Sequence, residues 1–221
     1  MTKIMEKDFG CSNPQIVKYC EQIFTPEDSV LKEIRERSHK EGLPMIQVGK
    51  MDNLHIEVLT RLCGAKKAVE IGTLGGYSGV NILRGMGQGG RLWTFEYHEK
   101  HASVAKESFK KAGFESQVKI LLGRALENLP KIEKEGPFDL VFIDADKQSY
   151  PAYLKWAEKN LKIGGVILGD NTFGFGKIAD KTNEEEITAL QKFNKTLAES
   201  DRFLSTILPT GEGLTVAVKT K

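Results

Sequence analysis

The spacing of hydrophobic positions changes about a third of the way along the chain. Before Lys67 the apolar residues recur at helical intervals. Ser12 can cap a helix that runs to about Phe24, with Pro14 tolerated in its first turn. Thr25-Pro26-Glu27-Asp28 reads as the start of a second helix, with a capping hydroxyl, proline at the first helical position and acids in the first turn. That helix should stop near Gly42. A third begins around Asp52 and is expected to bury Leu54, Val58, Leu59 and Leu62 on one face.

From Lys67 onward, short apolar strands alternate with helices. Strands are expected at Ala68 to Ile71, Arg91 to Glu96, Val118 to Leu122, Phe138 to Ile143 and Gly165 to Gly169. Helices fall between them: one ends near Gly87, one spans Lys100 to Ala112 and one spans Tyr150 to Leu161. Alternation of this kind implies a doubly wound α/β fold, a parallel sheet with helices on both faces. After a polar helix from about Glu184 to Ser200 come two more strands, Phe203 to Leu208 and Leu214 to Lys219. The five residues Pro209-Thr210-Gly211-Glu212-Gly213 between them allow only an antiparallel hairpin. The expected sheet is therefore seven-stranded, mostly parallel, with a C-terminal antiparallel hairpin and helices preceding it. A parallel sheet closed by a hairpin points to the Rossmann-like variant found in methyltransferases.

Composition narrows the setting. The 221 residues suit one domain. A net charge of +2 and 28% charged residues give no argument for nucleic acid. Cys11, Cys20 and Cys63 are too few and too scattered for a disulfide framework and read as reduced, packed thiols. Residues 1–10 lack a secretory h-region, and no apolar run approaches the ~20 residues of a membrane span, so a soluble cytoplasmic protein is expected.

In open α/β sheets, ligands bind beyond the carboxyl ends of the strands. The first such end is Val69-Glu70-Ile71-Gly72-Thr73-Leu74-Gly75-Gly76-Tyr77-Ser78-Gly79. It is neither GxGxxG nor a P-loop. Glu70 would be poorly placed beside a pyrophosphate but well placed beside the sulfonium and amino group of S-adenosylmethionine. Glu96, at the end of the second strand, can accept hydrogen bonds from two ribose hydroxyls. Together these residues favour a nucleoside cofactor.

The next strand ends carry acids. Phe138 to Ile143 runs into Asp144-Ala145-Asp146-Lys147, and Leu168-Gly169 runs into Asp170-Asn171. Either group alone would read as turn or capping residues. Both at neighbouring strand ends point to a metal: oxygens of Asp144, Asp170 and Asn171 suit a hard cation such as Mg²⁺. No His or Cys joins them, which disfavours zinc. Lys147 should reach the same cavity, where a nearby cation disfavours its ammonium form and suits it to act as a general base. His39, His55, His98 and His101 fall on helices or their starts and are assigned no chemistry.

VEIGTLGGYSG, TFE, FIDADK, GDN and LPTGEG, in that order from about Gln47 onward, resemble the metal-dependent O-methyltransferases of the caffeoyl-CoA and catechol type. The resemblance implies that Val48, Glu70, Gly72, Thr73, Ser78, Glu96, Ala125, Asp144 and Asp146 hold S-adenosylmethionine. It implies that Asp144, Asp170 and Asn171 hold a divalent cation, Mg²⁺ before Mn²⁺ or Ca²⁺, and that Lys147 is the base. It also implies a small aromatic vicinal diol as acceptor and a homodimer, with residues 1–50 as a helical cap over the site and dimer region and 51–221 as the cofactor- and metal-binding core. The chain departs from the family pattern at Asn53, where Gly is usual, and at Ile46, where Met is common. It also has Gly174 where Trp is common, and Phe175 where the plant enzymes have Asn. These last two bear on the acceptor. A hydroxylated tRNA nucleoside is the alternative acceptor. A nicotinamide oxidoreductase is disfavoured by the missing GxGxxG, and a non-enzymatic scaffold by the intact DADK and DN groups.

Overall fold

The computed structural model describes residues 13–221, so Cys11 and the expected cap Ser12 lie outside the described residues. Three helices come first: α1 Pro14–Phe24, α2 Ser29–Lys40 and α3 Lys50–Leu62. The alternating region follows: β1 Lys67–Ile71, α4 Tyr77–Met86, β2 Arg91–Glu96, α5 Glu99–Lys111, β3 Val118–Leu122 and a short α6 Ala125–Asn128. It continues with β4 Phe138–Ile143, α7 Tyr150–Asn160, β5 Leu161–Gly169, α8 Glu185–Glu199, β6 Phe203–Leu208 and β7 Leu214–Lys219.

The strands form one seven-stranded sheet in the order β3-β2-β1-β4-β5-β7-β6. The first five are parallel, and β7 is antiparallel to both β5 and β6. The order reverses at β1 and β4, so the crevice beyond their carboxyl ends is the natural ligand site. β5 begins four residues earlier than its apolar run suggests, because Leu161 pairs with Phe138 before a register shift.

Period-two alternation divides the core. Val69, Ile71, Trp93, Phe95, Val141 and Ile143 face α7 and α8. Ala68, Leu92, Leu140, Phe142, Val166 and Leu168 face the layer of α2 to α5. Glu70 and Thr94 are register partners on that second face, two polar side chains in an otherwise apolar layer.

Two expectations for the helices are corrected. Thr25 does not cap α2. It ends α1 in a left-handed conformation (φ 40°), while Asp28 caps α2 by accepting from the Leu31 N–H at 3.0 Å. Because α2 begins at Ser29, Thr25 stands too far upstream to reach its first N–H groups, and Asp28 holds the cap position. The buried face of α3 is also not the aliphatic one: Asn53, Ile56 and Thr60 are buried, whereas Val58 and Leu62 are exposed. α3 crosses α4 at close quarters. A Cβ on Gly85 would stand 2.6 Å from the Glu57 carbonyl oxygen and 2.7 Å from Thr60 Cβ. Only small or flat side chains fit that seam, and the Asn53 carbonyl there accepts from Asn81 Nδ2 at 3.0 Å.

α2 packs on the start of α4. Glu27 receives both Arg35 Nε and Nη2 at 2.8 and 2.9 Å and the Tyr77 hydroxyl at 3.1 Å. α1 buries none of its side chains, and Tyr19, Ile23 and Phe24 stay exposed.

Candidate active site

The turn after β1 is shaped by its neighbours. Gly72 has φ 100°, and a Cβ on it would stand 1.9 Å from the Asp144 carbonyl oxygen. At Gly75 a Cβ would stand 2.1 Å from Ser38 Oγ, so α2 presses directly on the turn. Gly72 needs glycine, since what a side chain there would meet is backbone, whereas at Gly75 the Ser38 side chain would have to give way.

Beneath the turn lies Glu70, fully buried. One of its oxygens accepts from Ser78 Oγ at 2.6 Å and the other from Thr94 Oγ1 at 2.6 Å. Because the Thr94 proton goes to Glu70, the Thr73 hydroxyl must donate to Thr94. Burial pushes the Glu70 carboxyl up to about 7, against the pull of its two hydroxyl donors. Three of the residues expected around a cofactor, Glu70, Thr73 and Ser78, thus form one hydrogen-bonded cluster with Thr94 under the backbone of the turn.

Glu96 ends β2 beside that turn. It accepts from the Leu74 N–H and the His98 N–H, both at 2.8 Å, and is nearly buried. His101 Nδ1 lies 3.4 Å from the same carboxylate, so one of the histidines given no role from sequence adjoins the expected ribose acid. Val48 is buried in the segment between α2 and α3. Ala125 opens α6 and packs against the core. Asp146 is exposed and accepts from the Tyr153 hydroxyl at 2.6 Å.

The acids converge at the ends of β4 and β5. The Asp144 N–H donates to the Ile71 carbonyl at 2.9 Å, and the Asp170 N–H to the Ile143 carbonyl at 3.0 Å, which sets three strand ends level. Lys147, nearly buried, donates to Asp144 Oδ1 at 3.0 Å and to the Tyr150 hydroxyl at 2.9 Å. Asp170 is buried, and its Oδ1 finds no hydrogen-bond partner among the described residues. Burial and the neighbouring Asp144 charge push its carboxyl up to about 8, with Lys147 opposing and Asp52 adding repulsion from α3. A buried carboxylate oxygen without a donor is costly unless a cation meets it. The donor set therefore fits a hard divalent ion. Among the described residues no three His, Cys, Asp or Glu side chains converge, so such an ion would rest on two carboxylates and the Asn171 amide.

Asn171 sits in the left-handed region (φ 54°), which asparagine tolerates better than most residues. The C-terminal hairpin holds this segment. The Thr172 N–H and hydroxyl both donate to the Gly213 carbonyl at 3.0 Å, and Thr215 Oγ1 donates to Thr172 Oγ1 at 2.9 Å. LPTGEG thus buttresses the acidic loop. Phe175, in the same segment, is exposed with φ 55°.

Sequence reasoning missed Tyr150, Thr94 and Asp52. Tyr150 follows Lys147 by three residues and is signalled by that spacing, and Thr94 by the pairing of β1 with β2. In the sequence Asp52 marks only a helix start; in the fold it stands in the first turn of α3, near enough to Asp170 to repel it.

The family model for O-methyltransferase matches residues 21–220. The chain belongs to the O-methyltransferase family. It is 37% identical to a catechol O-methyltransferase of Niastella koreensis over 86% of this chain and 87% of that one. It is 34% identical to a catechol O-methyltransferase of Mycobacterium tuberculosis, covering 89% of each. An O-methyltransferase from Bacillus cereus, solved in complex with SAH, superposes with a TM-score of 0.88 at 36% identity, covering 93% of this chain and 97% of that one. This O-methyltransferase is therefore an S-adenosylmethionine-dependent enzyme, and the glycine turn and Glu96 stand at the carboxyl ends of its first two strands. No helix among the described residues is long and apolar enough to cross a membrane.

Proposed function

We propose that this enzyme methylates one hydroxyl of a small aromatic vicinal diol with the help of a divalent cation, Mg²⁺ first. The observation that carries the proposal is Asp170, a buried carboxylate with an unpartnered oxygen, grouped with Asp144 and Lys147. Asp144, Asp170 and Asn171 would hold the cation. When bound, it would supply positive charge that orients a chelated hydroxyl and makes it more acidic. S-Adenosylmethionine supplies the electrophilic methyl.

The remaining work falls to side chains. Val48, Gly72, Thr73, Ser78, Glu96, Ala125, Asp144 and Asp146 border the cofactor, and Glu70 stiffens the turn that faces it. Glu96 keeps free lone pairs for the ribose hydroxyls. Lys147 takes the proton of the hydroxyl that attacks. Catalysis then rests on holding that oxygen in line with the departing sulfur. The exposed apolar side of α1 supports a homodimer in which a second copy covers it.

The test is incubation with methyl-labelled S-adenosylmethionine and a panel of diphenols, including catechol and caffeate, with Mg²⁺ or with chelator. Labelled product only in the presence of metal is expected. Cofactor binding without any methylated diphenol would move the acceptor to a hydroxylated tRNA nucleoside. Full activity in chelator would remove the metal.

A further inference from the structure

We propose that Tyr150 is a positioning residue that aims the Lys147 amine. The inference rests on the reading of Lys147 as the base. Tyr150 is fully buried at the start of α7, and an edge-to-face contact with Phe193 of α8 (5.3 Å, 74°) fixes its ring. Its hydroxyl lies 2.8 Å from the Asp170 carbonyl oxygen and 3.1 Å from that of Ile143. Carbonyl oxygens can only accept, so the single phenolic proton is spent on the ends of β4 and β5. A lone pair on the phenol oxygen then faces Lys147 Nζ, 2.9 Å away.

The geometry decides where the base points. A neutral amine has two N–H bonds and one lone pair. Beyond its carbon Nζ has three directions; one meets Tyr150 Oη and one Asp144 Oδ1, which leaves the third as the direction in which a base's lone pair would point. In the proton transfer an acceptor O–H bond breaks and an N–H bond forms at that lone pair. The products are an ammonium on Lys147 and an oxyanion that attacks the methyl carbon. Without the phenol oxygen, Nζ keeps only its contact with Asp144 and can swing about it on its four-carbon stem. Tyr150 thereby ties the direction of the base to the same strand ends that carry Asp144 and Asp170.

The experiment compares wild type, Tyr150→Phe, Lys147→Met and the double variant, using catechol, S-adenosylmethionine and Mg²⁺. Tyr150→Phe should lower kcat roughly tenfold while both KM values stay within about twofold, since orientation and not binding is lost. In the Lys147→Met background the same change should cost nothing further. A second readout uses metal-free protein: the acetylation rate of Lys147 by acetic anhydride, followed by peptide mass spectrometry, should shift several-fold in Tyr150→Phe while that of Lys159 does not. Should Tyr150→Phe fail to accumulate as folded protein, Tyr150→Met fills the slot without a hydroxyl and takes its place. Equal kcat losses in both backgrounds would mean a structural role and overturn the proposal. So would wild-type kcat with unchanged Lys147 reactivity, provided Lys147→Met is impaired. Wild-type turnover in Lys147→Met sinks the base reading, and this inference with it.

Discussion

Gly72 and Asp144 touch so closely that residue 72 has no room for a side chain, a Cβ there standing 1.9 Å from the Asp144 carbonyl oxygen. The contact joins the cofactor turn of β1 to the acidic end of β4, and the Asp144 N–H to Ile71 carbonyl bond reinforces it. One backbone approach therefore fixes the distance between the two halves of the site. Gly72→Ala must separate them, and it also places a Cβ on a residue with φ 100°. Together these should lower stability by about 1–3 kcal/mol or more. Cofactor affinity should fall well beyond what the stability loss explains, as titration calorimetry on the folded fraction can show. Wild-type affinity in this variant would mean that the spacing of the strand ends is not critical.

Glu70 makes the stability of the cofactor-free protein depend on pH. Its carboxyl is raised from 4.5 to about 7 by burial, so the folded state holds the proton more tightly than the unfolded chain. That contribution is complete below the unfolded value and is lost as pH rises through the folded one. Glu70→Gln cannot ionise and should escape this loss. Its melting temperature relative to wild type should therefore climb between about pH 5 and about pH 8.5. A difference that stays flat across that range would contradict the buried carboxyl.

Lys147→Ala should reduce kcat by roughly 10²- to 10⁴-fold, the usual range for a general base. Affinity for S-adenosylmethionine should barely change, because Lys147 contacts Asp144 and Tyr150 and not the glycine turn. Equilibrium binding of the cofactor to this variant separates the two effects. A large loss of cofactor affinity would count against the assigned role.

Much of this was legible in the chain because the parallel strands are short apolar runs ended by chemistry-bearing residues. β2, β3, β4, β6 and β7 have the bounds their sequences suggest, and Asp144 and Asp170 come together because each follows a strand in the same layer. What the sequence hid was close packing. The α3 seam is made by Gly85 and Thr60, which carry no hydrophobic signal, so the aliphatic stripe of α3 misled. Thr25 reads as the cap of α2 and Asp28 as an acid of its first turn, because the sequence does not show that the helix starts only at Ser29. Glu70 reads as a partner for a cationic ligand, yet it is fully buried beneath the turn, bonded to Ser78 and to Thr94, which only strand register puts beside it.

Asp170 should make stability and function pull in opposite directions. Without a cation its carboxylate is buried, repelled by Asp144 and Asp52, and short of a partner for Oδ1. Its carboxyl is raised to about 8, so the stability it lends is present at low pH and disappears as pH climbs through 8. Asp170→Asn keeps the shape and removes the charge. In chelator near pH 9 it should melt higher than wild type, each kcal/mol gained being worth about 2–4 °C in a protein of this size. Added Mg²⁺ or Mn²⁺ should raise the wild-type melting temperature by binding the folded state alone, and should do little for the variant. Methyl transfer should fall in the variant even as its metal-free fold gains. If Asp170→Asn melted lower than wild type in chelator, the carboxylate would have to be satisfied by the protein itself, and the case for a cation at the ends of β4 and β5 would lose its main support.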